Sequence, residues 1–353
     1  MVKQAVRTVI QCGPKVVRRA AELLAAGELV ALPTETVYGL GADATNADAV
    51  AKIYAAKGRP SNNPLIVHIA DIPSAEKICQ NFPAKAYALV ERFWPGPLTL
   101  VLPRRLQGDG VVCERAVAGG KTVAVRCPGH PMALDIIRAV GRPIAAPSAN
   151  RSGHTSPTSP AHVASEFDGI VELIVDGGEC LVGLESTVLD LSGSTPAILR
   201  PGAITGEMLA PILELDPLQL SVNEMSRASH LAGEALKSPG LLWRHYAPKT
   251  RAFRYEASQV PAIRTWLPEK ANVAIAQLAM LHSSVLPRTR ERFNMPTEPM
   301  LYAREFYRTL RLADECGCDC LFIELPAAQT GLWAAILDRL GRATEPWSPE
   351  AKL

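Results

Sequence analysis

Between Pro14 and Ala26 the apolar residues Val16, Val17, Ala20, Leu23 and Leu24 recur at helical spacing. Pro14 suits a first helical turn and Gly27 a C-terminal cap, so a helix is expected there. The period then changes, and Leu29 to Leu32 reads as a short buried strand. This alternation persists for two hundred residues. Helices are expected from the capping residue Asn46 through Val50, Ile53 and Tyr54 to a stop at Gly58, and over Ala84–Phe93, Pro131–Val140 and Pro160–Phe167. Strands are expected at Leu65–Ile69, Leu98–Leu102, Val123–Arg126, Pro143–Ala146, Val171–Val175, Thr187–Leu191 and Ala197–Leu199. Such an order defines an α/β domain built on a twisted mixed sheet with helices.

The pattern shifts after Leu215. Ser221 to Pro248 carries no convincing strand, and its end, S-P-G-L-L-W-R-H-Y-A-P, is bounded by prolines. A stretch this long without its own structure is usually functional or a linker. Alternation then resumes: strands at Arg251–Tyr255, Val273–Gln277 and Cys320–Leu325, helices near Val260–Leu267, Tyr302–Ala313 and Leu332–Leu340. The expected organisation is a catalytic domain at 1–215, a linker at 216–250 and a smaller Rossmann-like α/β domain at 251–353.

Composition narrows the functional classes. Apolar residues make up 48% of 353, enough for a sizeable core, so disorder is excluded as the main state. The net charge of +2 provides no global field for a polyanion, so any such site is local. No apolar run approaches the roughly 20 residues of a membrane span. Lys3, Arg7, Lys15, Arg18 and Arg19 precede the first acid, Glu22, as in some transit peptides, but the stretch lacks serine and reads as a strand and helix of the fold. Eight cysteines without disulfide spacing suit a reducing cytoplasm.

Standard signatures fail. Gly120-Lys121-Thr122 resembles the tail of a phosphate-binding P-loop, but Arg115 stands where that pattern needs its first glycine. No dinucleotide fingerprint, nucleophile elbow or H-E-x-x-H occurs. Cys316, Cys318 and Cys320 form C-x-C-x-C rather than the C-x-x-C pairs of zinc sites, and Cys320 enters an apolar strand where burial is expected.

What remains are four polar segments rich in proline and glycine, set near strand ends where α/β folds bind ligands. They are Pro33–Leu40, Lys57–Leu65, Pro147–Ser156 and Gly183–Asp190. Lys57 and Arg59 flank a glycine after a helix, and Pro60 and Pro64 stiffen their loop, an arrangement that presents two cations to a polyphosphate. Ser148, Asn150, Ser152 and Ser156 add small groups able to bond phosphate or ribose oxygens. His68, in L-I-V-H-I, points away from the face of Leu65, Val67 and Ile69, where packing is as good an account as ligand binding. Arg126 closes an apolar strand and calls for an anion such as a substrate carboxylate. Thr36 and Ser186 are loop hydroxyls for which local turn bonding is a common role.

Together these segments resemble the L-threonylcarbamoyladenylate synthase family, the YrdC-type enzymes of tRNA modification. The resemblance rests on P-T-E-T-V-Y-G-L-G, K-G-R-P-x-x-x-P-L, F-W-P-G-P-L-T, V-A-V-R-C-P-G-H-P, S-A-N-R-S-G, D-G-G, G-L-E-S-T-V-L-D and I-L-R-P-G-A-I-T, which span residues 12–206 in order. H-Y-A-P and the α/β segment after it resemble the long, two-domain form. The resemblance implies that L-threonine, bicarbonate and ATP give threonylcarbamoyl-adenylate and pyrophosphate, and the chemistry calls for Mg2+ on the phosphates. It implies Lys57 and Arg59 as catalytic phosphate-binding cations, with Asn63, Thr122, Ser148, Asn150, Ser156 and Arg200 as further nucleotide contacts. Tyr246 would join them from a linker folding back over the nucleotide. Thr36, His68, Arg126, Ala146 and Ser186 fall at threonine-contacting positions; no carboxylate cluster in the sequence identifies protein ligands for the metal. A downstream tRNA threonylcarbamoyl-transfer machinery would receive the adenylate in the cytoplasm, with no membrane involved and no direct tRNA binding required.

Two rivals are weaker. A nucleic-acid module predicts a basic excess and stacking aromatics, whereas the charge is +2 and aromatics are 5%. A carbamoyl-transfer enzyme of the hydrogenase-maturation type needs acylphosphatase and zinc-finger segments, and neither occurs.

Overall fold

The computed structural model of the chain describes residues 7–108, 111–220, 246–267, 273–278 and 289–351. They divide into two compact units: one takes 7–152 and 156–220, the other 153–155 and the residues from 246 onward. Of the expected linker 216–250, residues 216–220 thus belong to the first unit and 246–250 to the second; the rest lies outside the described residues.

The first unit opens with β1 (Val9–Gln11), α1 (Pro14–Ala25), β2 (Val30–Leu32) and β3 (Gly39–Asp43). Then come α2 (Ala47–Lys57), β4 (Ile66–His68), α3 (Ile72–Ile78), α4 (Ala84–Phe93), β5 (Leu98–Pro103), β6 (Thr122–Arg126) and α5 (Pro131–Val140). It closes with β7 (Ile144–Ala145), α6 (Pro160–Phe167), β8 (Leu173–Val175), β9 (Thr187–Asp190), β10 (Ala197–Arg200) and α7 (Gly206–Leu213). The ten strands form one mixed sheet in the order β1-β8-β2-β3-β7-β4-β6-β5-β9-β10.

Local chemistry sets several boundaries. Asn46 caps α2 by accepting from the N–H groups of Asp48 and Ala49, at 3.0 and 3.1 Å. Gly58 ends the same helix in the left-handed region, φ 60, which places Lys57 in the last turn.

The sheet's two faces differ in kind, because strand side chains alternate. Leu65, Val67, Leu98, Leu100, Leu102, Val123, Val125, Leu189 and Ile198 belong to the main hydrophobic core. The alternate residues Ile66, Val101, Ala124, Val188 and Leu199 form a separate small apolar cluster. His68 shares the parity of Ile66, Arg126 that of Ala124, and Thr99 that of Val101. The polar groups therefore share a face with a small apolar floor, opposite the main core.

Three elements of this unit went unread in the sequence. β3 lies within the glycine-bearing G-L-G-A-D, a poor strand by propensity; pairing with β2 overrides it. A Cβ on Gly41 would come within 2.9 Å of Leu32 Cδ1, so the tight ladder itself selects glycine. The short α3 is capped by Asp71, whose Oδ1 accepts from Ser74 N at 2.9 Å. In α7 an internal proline, Pro211, masks the helical signal.

The second unit carries a five-stranded parallel sheet: β11 (Arg251–Tyr255), β12 (Val273–Leu278), β13 (Thr289–Met295), β14 (Cys320–Glu324) and β15 (Glu345–Pro346). Its order is β13-β12-β14-β11-β15. Helices α8 (Val260–Trp266), α9 (Pro299–Glu315) and α10 (Leu332–Ala343) connect it in a Rossmann-like architecture. The polar sequence of β13 hid that strand. Phe253, Tyr255, Phe322, Trp347 and the fully buried Cys320 pack in its core, so Cys320 is a packing residue, as its strand context implied.

Candidate active site

The first unit gathers most of the expected site residues into three hydrogen-bonded groups. In the first, the Lys57 ammonium, at the end of α2, donates to Ser148 O at 2.5 Å and also to Asn150 O. Arg59 donates through Nε to Asn63 O at 3.1 Å, and through Nη2 to Asn63 Oδ1 at 2.6 Å and Pro64 O at 2.8 Å. Ser152 N donates to Lys57 O at 2.8 Å. Lys57, Arg59, Asn63, Ser148 and Asn150 thus lie together. Both cations, however, are buried and turned inward onto backbone carbonyls rather than held out on a stiff loop. A buried cation needs acceptors, and the proline-bounded loops provide them. Burial pushes the Lys57 ammonium well below the ordinary lysine range, neighbouring Arg59 pushes it further, and Glu166 opposes them.

The second group surrounds Arg126 at the end of β6. Its Nη1 donates to Thr36 Oγ1 at 2.9 Å and its Nε to Gly96 O at 3.2 Å, within F-W-P-G-P. Its Nη2 lies 2.6 Å from Glu35 Oε1, a close charge contact off the line of a hydrogen bond. The Thr36 hydroxyl lies 2.9 Å from that of Thr34, which donates to Val37 O. His68 pairs with Arg126 in the parallel β4–β6 register. Burial pushes its imidazole down to about 3, and the Arg126 guanidinium adds to the effect, so His68 is neutral at physiological pH.

A pH dependence follows from that shift. The folded value lies below the free histidine value of 6.5, so the unfolded chain takes up the proton first. Stability from neutral His68 is full above about pH 6.5 and drains away as pH falls toward about 3, by at most about 5 kcal/mol. A His68→Gln chain should therefore lose less stability than wild type between about pH 7 and pH 4 in denaturant melts. Equal losses would remove His68 as the source.

In the third group Arg200 donates from Nε to Ser186 O and from Nη2 to Ser186 Oγ, both at 3.1 Å. Ser186 Oγ also meets Thr99 Oγ1 at 2.8 Å. Residues assigned separately to nucleotide and threonine are thus directly bonded. Beside them Ser156 Oγ donates to Glu185 Oε1 at 2.6 Å, both residues buried. Gly202 explains the glycine of I-L-R-P-G, because a Cβ there would lie 2.4 Å from Thr187 N and 2.8 Å from Glu185 O. Gly202→Ala should displace the Glu185–Ser186 backbone, cost about 1–3 kcal/mol of stability and raise the KM for whatever ligand the Ser186 group holds. A substituted chain with unchanged melting and kinetics would show that the turn yields freely.

The first two groups are linked by backbone. Gly39 bridges Ser148, Leu40 N donates to Pro147 O at 2.7 Å, and Ala149 N donates to Tyr38 O at 2.7 Å. Ala146 N donates to Ile66 O at 3.0 Å, and its methyl packs in the apolar cluster of Ile144, Leu173 and Val175. Thr122 opens β6 on the face of Arg126, about 13 Å along the strand, so one strand face spans the assigned ends of both substrates.

Tyr246 lies in the second unit. Its ring is 5.7 Å from that of Tyr307 and under the Arg339 guanidinium, at a positive φ of 67. Most of the proline-bounded linker end S-P-G-L-L-W-R-H-Y-A-P lies outside the described residues. Sequence reasoning passed over Glu35, Thr34, Thr99 and Glu185.

The site's loops and sheet are those of a known class. The Sua5/YciO/YrdC family, described as Telomere recombination, matches residues 22–202, and the C-terminal domain of threonylcarbamoyl-AMP synthase matches 204–344. The chain belongs to the threonylcarbamoyl-AMP synthase family. A threonylcarbamoyl-AMP synthase of Pyrococcus abyssi is 40% identical, the match covering 93% of this chain and 94% of that one. One of Bacillus subtilis is 50% identical over 66% of this chain and 64% of its own. The crystal structure of P. abyssi Sua5 complexed with L-threonine superposes with a TM-score of 0.83 at 37% identity, covering 96% of this chain and 98% of that one.

Proposed function

We propose that this chain is a threonylcarbamoyl-AMP synthase. It converts L-threonine, bicarbonate and ATP into threonylcarbamoyl-adenylate and pyrophosphate, the first step of threonylcarbamoyl modification of adenosine 37 in tRNAs that read codons beginning with A. The observation that carries this reading is the pairing of two kinds of site on adjoining loops. The carboxylate-matching Arg126–Thr36 group lies beside the buried cation group of Lys57 and Arg59.

The chemistry suits those groups. The threonine amine takes up the one-carbon unit as a carbamate, and a carbamate oxygen attacks the α-phosphorus of ATP as pyrophosphate leaves. The carbamate is itself the nucleophile, so the protein supplies positioning and charge neutralisation. Lys57 and Arg59 answer the phosphate charge, with Asn63, Thr122, Ser148, Asn150, Ser156, Arg200 and Tyr246 as further nucleotide contacts. Arg126 holds the threonine carboxylate, and Thr36, His68, Ala146 and Ser186 shape its pocket.

Among the described residues no three His, Cys, Asp or Glu side chains cluster as a metal site. A Mg2+ ion carried on the ATP phosphates would neutralise part of their charge. No described helix is long and apolar enough to cross a membrane. A cytoplasmic enzyme that passes its adenylate to a tRNA-modifying machinery, with no direct tRNA binding required, completes the proposal.

The test is direct. Protein, ATP, Mg2+, threonine and labelled bicarbonate should yield labelled adenylate and pyrophosphate in equal amounts, dependent on threonine. Pyrophosphate release without labelled adenylate would overturn the reading.

A further inference from the structure

Glu35 is the one acid touching Arg126 among the described residues; it stands in the P-T-E-T-V-Y-G-L-G segment, and the nucleotide chemistry gives it no role. Its side chain is 11% exposed, and Arg126 Nη2 lies 2.6 Å from its Oε1. Neither carboxylate oxygen accepts a hydrogen bond. Such an anion is stabilised by charge alone, with its lone pairs unspent, although a carboxylate has about four acceptor positions. Its position is also fixed. Val182 N donates to Glu35 O at 2.8 Å, and Gly129 walls the carboxylate so closely that a Cβ there would lie 3.2 Å from Glu35 Cδ. Thr36, its neighbour in sequence, carries the hydroxyl that already bonds Arg126.

An α-amino acid brings a carboxylate and an ammonium on one carbon. Arg126 is the complement of the first; the adjoining, unspent carboxylate of Glu35 is the complement of the second. The Glu35–Arg126 pair has the charge pattern that a zwitterion matches in reverse. We infer that Glu35 receives the α-ammonium of the amino-acid substrate and accepts the proton its nitrogen sheds on carboxylation. The inference rests on the synthase reading.

The balance is explicit. Threonine ammonium and bicarbonate give the carbamate, water and one proton. The N–C bond forms, one C–O bond of bicarbonate breaks, and its oxygen leaves as water. The remaining nitrogen proton goes to a Glu35 oxygen and reaches solvent before the next turnover. No oxidant or reductant is involved. A base set within reach of the amine is the group this step needs, and buried carboxylates serve that role.

The alternative is that Glu35 only orients Arg126. The full-length chain separates the two with Glu35→Gln, Glu35→Asp and an amine-free ligand, 2,3-dihydroxybutanoate, in which hydroxyl replaces ammonium. Wild type must first form the adenylate; failure there sinks the synthase reading and is recognisable as such. With wild type active, Glu35→Gln should cut kcat/KM for threonine about 100-fold and abolish the acid limb of its pH profile, with Glu35→Asp intermediate. Wild type should bind threonine at least about tenfold more tightly than the amine-free ligand, and Glu35→Gln should erase that preference. If Glu35→Gln weakens both ligands equally, or keeps the acid limb, the inference is overturned in favour of a positioning role. Should Glu35→Gln fail to fold, the wild-type preference and the Glu35→Asp profile decide. A wild type indifferent to the amine, or a Glu35→Asp chain with wild-type kinetics, overturns it.

Discussion

A Lys57→Met chain is expected to form adenylate at least about 100-fold more slowly than wild type, the scale of losing one preorganised charge-stabilising donor. Methionine keeps the length of the stem and removes its head. The head does two things here. It ties Ser148 O and Asn150 O to the end of α2, and it adds a cation to the site where Arg59 converges. Without it both carbonyls lose the ammonium, although Ser148 O keeps its bond from Asn150 N at 3.0 Å, so stability falls too, by about 1–3 kcal/mol in all. The negative phosphates favour the charged ammonium that burial and Arg59 disfavour, so the defect should concentrate in kcat/KM for ATP. Pyrophosphate release and urea melts measure the two effects separately. Wild-type turnover in a correctly folded Lys57→Met chain would remove this residue from the phosphate group.

The second large effect is expected at Arg126. Arg126→Gln should lower kcat/KM for threonine by about 100- to 1,000-fold, as for a charge-assisted bond of about 3–4 kcal/mol, with a much smaller change in the ATP dependence. The same substitution strands the Glu35 carboxylate in a buried setting, which costs about 3–5 kcal/mol of stability. Glu35→Gln added to Arg126→Gln should therefore restore part of the lost stability without restoring activity, since the pair is directly coupled. Melting curves of the two singles and the double decide it. Additive losses would mean that Glu35 and Arg126 do not share their charge in solution.

The fold was most legible where the information is local. Helices Ala84–Phe93, Pro131–Val140 and Pro160–Phe167 have the expected boundaries, because each carries an apolar stripe started by proline or ended by a turn signal. The strand alternation also placed His68 opposite Leu65, Val67 and Ile69. β3 was hidden because its pairing with β2, not its own composition, makes it a strand. Site residues in proline-bounded loops were visible as out-of-place polar groups. Glu35 and Thr99 were not, since what distinguishes them is a partner far along the chain, Arg126 in one case and Ser186 in the other. Nor did the sequence show that Lys57 and Arg59 turn inward; that follows from which carbonyls the 147–150 and 60–64 loops bring within reach.

The parity of the central strands has a genetic meaning. Along β4, β5, β6 and β9, neighbouring codons answer to different demands: one residue faces the main core, the next the smaller apolar floor that β4, β5 and β6 share with His68, Thr99 and Arg126. The main core can therefore drift through volume-conserving exchanges while the opposite row stays still, or the reverse. A family descended from such a sheet can acquire a new amino-acid preference by altering one row, without rebuilding its hydrophobic interior. The corollary is a hazard. A one-residue slip in any of these strands would exchange the two rows, so that a single deletion there costs the lineage its fold and its chemistry together.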